Sequence, residues 1–210
     1  MNTQKINKIF TLFSNEKPAP KVELKYTNNY TFLVAIILSA QATDVGVNKA
    51  TKDLFHRINS PQGMLELGEG GLKEYIKTIG LYNNKAKNII AMSGMLVNEY
   101  DGEIPDTLEG LVKLAGVGRK TASVYLNTVY NMPAIAVDTH VFRVSNRIGL
   151  VKTKTPLQTE KALQEIVPTK WHANISNWLV LHGRYICKAR KPECGNCVIE
   201  KLCEFEGKVL

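Results

Sequence analysis

Cysteine is absent until residue 187 of this 210-residue chain, and all four cysteines fall in the last 24 residues. That placement excludes a disulfide framework stapling a whole domain. Long hydrophobic runs are missing too. The longest, Phe32 to Leu38, is far short of the roughly 20 residues that span a bilayer. The N-terminal MNTQKINKIFTLF is too polar and too short for a signal h-region. A soluble, cytoplasmic protein with no membrane partner is expected. Alternating strand patterns, low-complexity segments and long linkers are also lacking. Acidic residues are scarce, 19 against 27 Lys+Arg, for a net charge of +8 and a pI near 9.3. Hydrophobic residues at 44% and charged ones at 22% are ordinary for a globular chain, which excludes disorder and collagen-like repeats. Excess positive charge points to an anionic partner, usually nucleic acid, or simply to a basic surface.

The cations cluster. Residues 111–151 carry Lys113, Arg119, Lys120, Arg143 and Arg147 against Asp138, a net of +4. Residues 182–203 carry Arg184, Lys188, Arg190, Lys191 and Lys201 against Glu193 and Glu200, a net of +3. Two basic segments in an otherwise near-neutral chain suggest a surface that meets phosphates.

Periodicity and punctuation give an all-α chain. Helices are expected over 5–13, 30–42, 44–55, 71–79, 84–99, 106–114, 119–130, 139–148, 156–167 and 172–184. The segment 30–42 is apolar on most faces and reads as a central core helix. Asp44 can cap the third helix, Asp138 the eighth and Thr155 the ninth, with Pro156 in the first turn of the last. Trp171 and Trp178 read as core anchors.

Cys187, Cys194, Cys197 and Cys203 form a C-x6-C-x2-C-x5-C pattern. Four thiolates so close would repel one another without a metal centre. Zinc is one candidate, but four-cysteine zinc sites pair two short knuckles and only one is present. The wider spacings favour four thiolates around a [4Fe–4S] cubane with a structural role. No flavin or nicotinamide motif accompanies it.

Leu114-Ala115-Gly116-Val117-Gly118 joins two expected helices. Gly116 and Gly118 permit positive φ and leave no side chain between backbone and ligand. The N–H groups after Gly118 open a helix and can bind an anion, with Leu114 and Val117 anchoring the turn. Arg119-Lys120 in that first turn opposes the helix dipole, a conflict expected at functional sites. The helix end and Arg119 should disfavour the Lys120 ammonium, so Lys120 could supply a neutral amine; it could equally be a plain phosphate contact. Asp138 is the lone acid of the basic middle segment and could serve as helix cap, as a catalytic carboxylate, or as both.

LAGVGRKTA, AVDTH-x-x-R and the cysteine pattern together resemble the endonuclease III family of helix-hairpin-helix, iron–sulfur DNA glycosylases. So do Ile37-Leu38-Ser39-Ala40-Gln41-Ala42-Thr43-Asp44, Ile76 to Tyr82, and Leu181-His182-Gly183-Arg184. Ala115 departs from the family's usual proline, which should loosen the turn. The resemblance implies an all-helical, two-lobed DNA glycosylase fold: a central domain over 22–133 carrying the hairpin, and a cluster domain built from 1–21 plus 134–210. It implies damaged double-stranded DNA as partner, contacted by Gln41, Leu81, Gly116, Gly118, Arg119, Arg143 and Arg184. Leu81 would be an apolar wedge and Gln41 would fill the gap left by an extruded nucleotide; a buried leucine and a helix-end amide are the plainer alternatives. Ser39, Asp44 and His140 would line the lesion pocket. Lys120 would attack the sugar C1′ and Asp138 assist it, excising oxidised pyrimidines in base excision repair and nicking the strand by β-elimination. No nucleotide cofactor would be needed, and the protein is expected to act as a monomer. A cluster on four thiolates contributes about −2, which brings the net charge to roughly +6. The rivals are a monofunctional relative that excises adenine or mismatched thymine, and a non-catalytic hairpin binding module.

Overall fold

A computed structural model describes residues 1–18 and 20–209. Among these, every regular element is helical. The α-helices are α1 (Thr3–Glu16), α2 (Asn29–Ser39), α3 (Asp44–Arg57), α4 (Pro61–Ile76), α5 (Tyr82–Glu99), α6 (Leu108–Leu111), α7 (Arg119–Tyr130), α8 (Thr139–Arg147), α9 (Pro156–Ile166) and α10 (His172–Tyr185). No described helix is long and apolar enough to cross a membrane. The chain divides into two compact units: Glu23–Tyr130, and Met1–Val22 together with Asn131–Leu210.

In the unit Glu23–Tyr130, α2 is buried on all sides from Tyr30 to Leu38, as its unbroken apolar run requires. Each large apolar side chain taken from water contributes roughly 1.5–3 kcal/mol before entropy is counted. Asn28 and Thr31 form a reciprocal capping box at its start. The helix stops at Ser39, short of the expected residue 42, because Ala40 leaves the helical region and Gln41 takes φ 56°. Helix α4 begins ten residues before the expected 71, with Ser60 capping and Pro61 in the first turn. Glycines at 63, 68, 70 and 71 mask its periodicity, and Gly68 (φ 72°) kinks it. The expected 106–114 helix shrinks to one turn, α6, capped by Thr107.

In the other unit, α1 buries Ile6, Ile9, Phe10 and Phe13 in one core with Val141 and Val144 of α8, Leu163 of α9, and Ile175, Trp178 and Leu179 of α10. Cys187 and Ile199 of the C-terminal loop belong to that core. Trp178 is 4% exposed and donates Nε1–H to Lys17 O (2.8 Å), and Trp171 donates to Asn7 Oδ1 (2.9 Å). Both tryptophans therefore anchor α1, with their one polar atom satisfied.

Candidate active site and metal centre

Three backbone bonds shape the hairpin ahead of α7: Leu114 N to Leu111 O (3.1 Å), Val117 N to Leu114 O (3.1 Å) and Ala122 N to Gly118 O (3.0 Å). Leu114 and Val117 are buried and pin it. Gly116 has φ 76°, and a Cβ there would stand 2.8 Å from Asn88 Cβ. Gly118 is different. It is outside the positive-φ region, and an added Cβ would meet nothing within 4 Å. The expected conformational reason therefore holds for Gly116 alone; Gly118 leaves open space over the start of α7. Arg119 and Lys120 are exposed in that first turn, which contains no acid.

Ser39, Gln41, Asp44 and Leu81 lie in the same unit. Ser39 donates Oγ–H to Ile36 O (2.8 Å) at the end of α2. Thr43, not Asp44, caps α3: its side chain accepts from Gly46 N (3.1 Å), and Asp44 is the first helical residue. Gln41 and Leu81 (φ 60°) are two of four non-glycine residues with positive φ among those described. Such backbone costs about 1–3 kcal/mol per residue and collects at functional sites. Leu81 is 58% exposed, which removes the buried-leucine alternative. Its loop adjoins that of Gln41, since a Cβ on Gly80 would stand 3.8 Å from Gln41 O.

Asp138, His140, Arg143 and Arg184 belong to the unit formed by both termini. Asp138 Oδ1 accepts from His140 N and Val141 N, both at 2.8 Å, so it caps α8 as expected. His140 is half-buried, and burial, with Arg143 and Arg184 nearby, holds its imidazole below the usual range. Arg143, expected at the DNA, has a structural task within its own unit. Its Nη2 donates to Gly183 O (2.8 Å) and Cys187 O (3.0 Å), so the guanidinium secures the end of α10. Arg184 is half-buried on α10.

All four cysteines line one small cavity, with Arg147, His182, Glu200, Phe205 and Lys208 among its walls. Burial pushes the Cys197 thiol up to about 11 and raises that of Cys203, with the neighbouring thiols adding to the effect. Four thiolates there need a cationic centre. Four thiolates facing one cavity, in the wide C-x6-C-x2-C-x5-C spacing, suit a multi-atom iron–sulfur core. Cys187, Cys194, Cys197 and Cys203 would hold the cluster, which would supply a cross-link for the loop.

Sequence reasoning missed Arg147. Its Nη1 donates to Lys188 O (2.7 Å) and lies 3.6 Å from Cys187 Sγ, its Nη2 donates to Ala189 O (2.9 Å), and its guanidinium lies 5.0 Å from the Phe205 ring centre. Its spacing of four from Arg143 placed both on one helix face and could have signalled a shared task. The basic segments are accordingly less available to phosphate than their count suggests: Arg143 and Arg147 hold carbonyls, and Lys188 pairs with Glu193. Lys113, Arg119, Lys120, Arg190 and Lys191 remain exposed.

Residues 34–169 match the family model for the HhH-GPD superfamily base excision DNA repair protein, and residues 187–203 match the iron–sulfur binding domain of endonuclease III. Endonuclease III of Rickettsia conorii is 57% identical over 205 residues, 98% of each chain. That of Escherichia coli strain K12 is 50% identical over 209 residues, 100% of this chain and 99% of its own. A solved structure of a trapped endonuclease III–DNA covalent intermediate, in an estranged-adenine complex, matches with a TM-score of 0.91 at 40% identity. It covers 97% of this chain and 96% of that one.

Proposed function

Because this chain belongs to the endonuclease III family of helix-hairpin-helix base excision DNA repair proteins, we propose that it is a bifunctional DNA glycosylase and AP lyase acting on oxidised pyrimidines in duplex DNA. The observation that carries it is an exposed lysine, Lys120, in the first turn of α7 directly behind the Gly116–Gly118 hairpin. Backbone N–H groups at that helix start suit a DNA phosphate, which would bring the amine to the sugar. A similar protein has been trapped as a covalent intermediate with DNA, which supports a covalent route here.

The target nucleotide leaves the stack at a cost of a few kcal/mol, least for a damaged base. Leu81 wedges the duplex and Gln41, with both donor and acceptor groups, occupies the vacated position. Lys120 Nζ bonds to C1′ as the bond from C1′ to the base nitrogen breaks, and the base departs with a proton. Sugar-ring opening gives an iminium. The iminium acidifies C2′; loss of that proton supplies the electron pair that expels the 3′ phosphate. Asp138 takes a proton from the Lys120 ammonium or stabilises the positive charge developing on the sugar. The cluster cross-links the C-terminal loop and takes no part in these steps. No nucleotide cofactor enters the scheme, and a monomer in the cytoplasm suffices for it.

Borohydride reduction in the presence of thymine-glycol duplex should capture a covalent protein–DNA species, and Lys120→Ala should capture none. Base release without any trapped species would point instead to a monofunctional glycosylase. Lesion-independent binding without base release would point to a binding module.

A further inference from the structure

Lys85, in the first turn of α5, is the buried cation of the unit Glu23–Tyr130. It is 5% exposed, and burial lowers its pKa from the usual lysine value. Charges are rarely placed so unless their partner matters. Its Nζ donates to Leu38 O at 2.9 Å.

That carbonyl is one of the last four of α2, which a helix leaves without intrahelical partners. The others are met locally: Ile36 O by Ser39 Oγ, Ile37 O by Ala40 N, and Ser39 O by Ala42 N. Leu38 O is met from another helix, across 47 residues of chain. The backbone N–H of Lys85 meanwhile donates to Leu81 O at 3.1 Å and so closes the first turn of α5 behind the left-handed Leu81. One residue therefore grips the base of both strained loops. Its main chain holds the loop presenting Leu81, and its side chain holds the helix end presenting Gln41. A hydrophobic residue there would fill the space but leave Leu38 O unpaired and the two loops free to slide.

We propose that Lys85 is a positioning residue that sets the separation between Leu81 and Gln41, and thereby the protein's discrimination of damaged from undamaged duplex. The assignment rests on the DNA-repair function proposed above. A displacement of about 1 Å between groups that must act together can cost up to about a hundredfold. Lysine's four-carbon stem suits the task, because it crosses an apolar gap and delivers one strong donor at its end.

The test compares wild type, Lys85→Met, Lys85→Arg, Leu81→Ala and the Lys85→Met/Leu81→Ala double variant. Affinities are measured for thymine-glycol duplex and for its undamaged counterpart, with 2-aminopurine fluorescence beside the lesion reporting unstacking. Lys85→Met should lose roughly tenfold or more in the lesion-to-undamaged affinity ratio and most of the fluorescence rise, while binding undamaged duplex as wild type does. Lys85→Arg should recover much of both. The double variant should lose little beyond Leu81→Ala, because the two residues act as one unit. An unchanged ratio in Lys85→Met, equal losses on both duplexes, or additive losses in the double variant would overturn the assignment of Lys85 alone. If Lys85→Met does not fold, a wild-type-like fluorescence rise in folded Lys85→Gln, whose shorter side chain cannot span the gap, would overturn it too. A wild type that does not prefer the lesion would instead refute the oxidised-pyrimidine specificity proposed above.

Discussion

Replacing Asp138 by asparagine keeps an oxygen where His140 N and Val141 N donate at 2.8 Å, yet removes the carboxylate charge. Asparagine caps helices about as well as aspartate. Asp138→Asn should therefore melt near wild type and bind lesion duplex, while releasing base far more slowly in single-turnover assays. Asp138→Ala should lose the cap as well, at about 1 kcal/mol. Unchanged base release in Asp138→Asn would confine the residue to capping α8. The same separation of roles could not be made from sequence, where one aspartate before one helix fits a cap and a catalyst equally. Arg143 shows the converse. Its charge was legible, but that charge faces the carbonyls of Gly183 and Cys187, and only tertiary contacts reveal it.

The hairpin gives the two glycines different physical demands, so they should fail differently. Gly116→Ala places a methyl group in left-handed backbone and against Asn88, and should cost at least about 1–2 kcal/mol. Gly118→Ala meets open space, so its melting temperature should stay close to wild type. Its methyl group would nevertheless stand where a phosphate approaches the start of α7, and DNA affinity should drop. Thermal melts beside salt-titrated binding check both; a strongly destabilised Gly118→Ala would show that position to be structural. Most elements were legible because each unit is built from helices with clear caps, such as Thr155-Pro156 at α9. The losses came where glycine breaks periodicity, as in the first half of α4, and where the chain turns left-handed without glycine, at Gln41 and Leu81. A leucine in that conformation obeys no local preference. Its exposure and strain emerge only when the surrounding helices fix its backbone.

At the scale of the molecule, the two units differ in how their cores close. The unit Glu23–Tyr130 is organised around α2, a helix buried on every side that needs no cofactor to complete it. The unit formed by both termini includes the cluster loop in its own core. Cys187 and Ile199 pack there, Glu204 N donates to Ile148 O (3.2 Å), Arg147 binds the carbonyls of Lys188 and Ala189, and Lys5 on α1 pairs with Glu204 at 2.8 Å. Burial resists ionisation of Cys197 and Cys203, so without iron the sulfurs keep only weak contacts, Cys187 Sγ with Arg147 Nη1 and Cys197 Sγ with His182 Nε2, both at 3.6 Å. Metal binding energy is then folding energy for one unit and not for the other. Removing iron with a chelator under reducing, anaerobic conditions should bleach the visible absorbance. It should also release amide protection in α1, α8 and α10, while α2, α5 and α7 keep theirs. Hydrogen exchange read by mass spectrometry resolves the two sets. Equal loss in both units would mean that the cluster supports the whole chain through a single cooperative transition. Full protection in both would mean that the loop is an ornament on a core already complete. The selective outcome follows from one asymmetry, that the cysteines are confined to the last 24 residues and the core they join is confined to one unit.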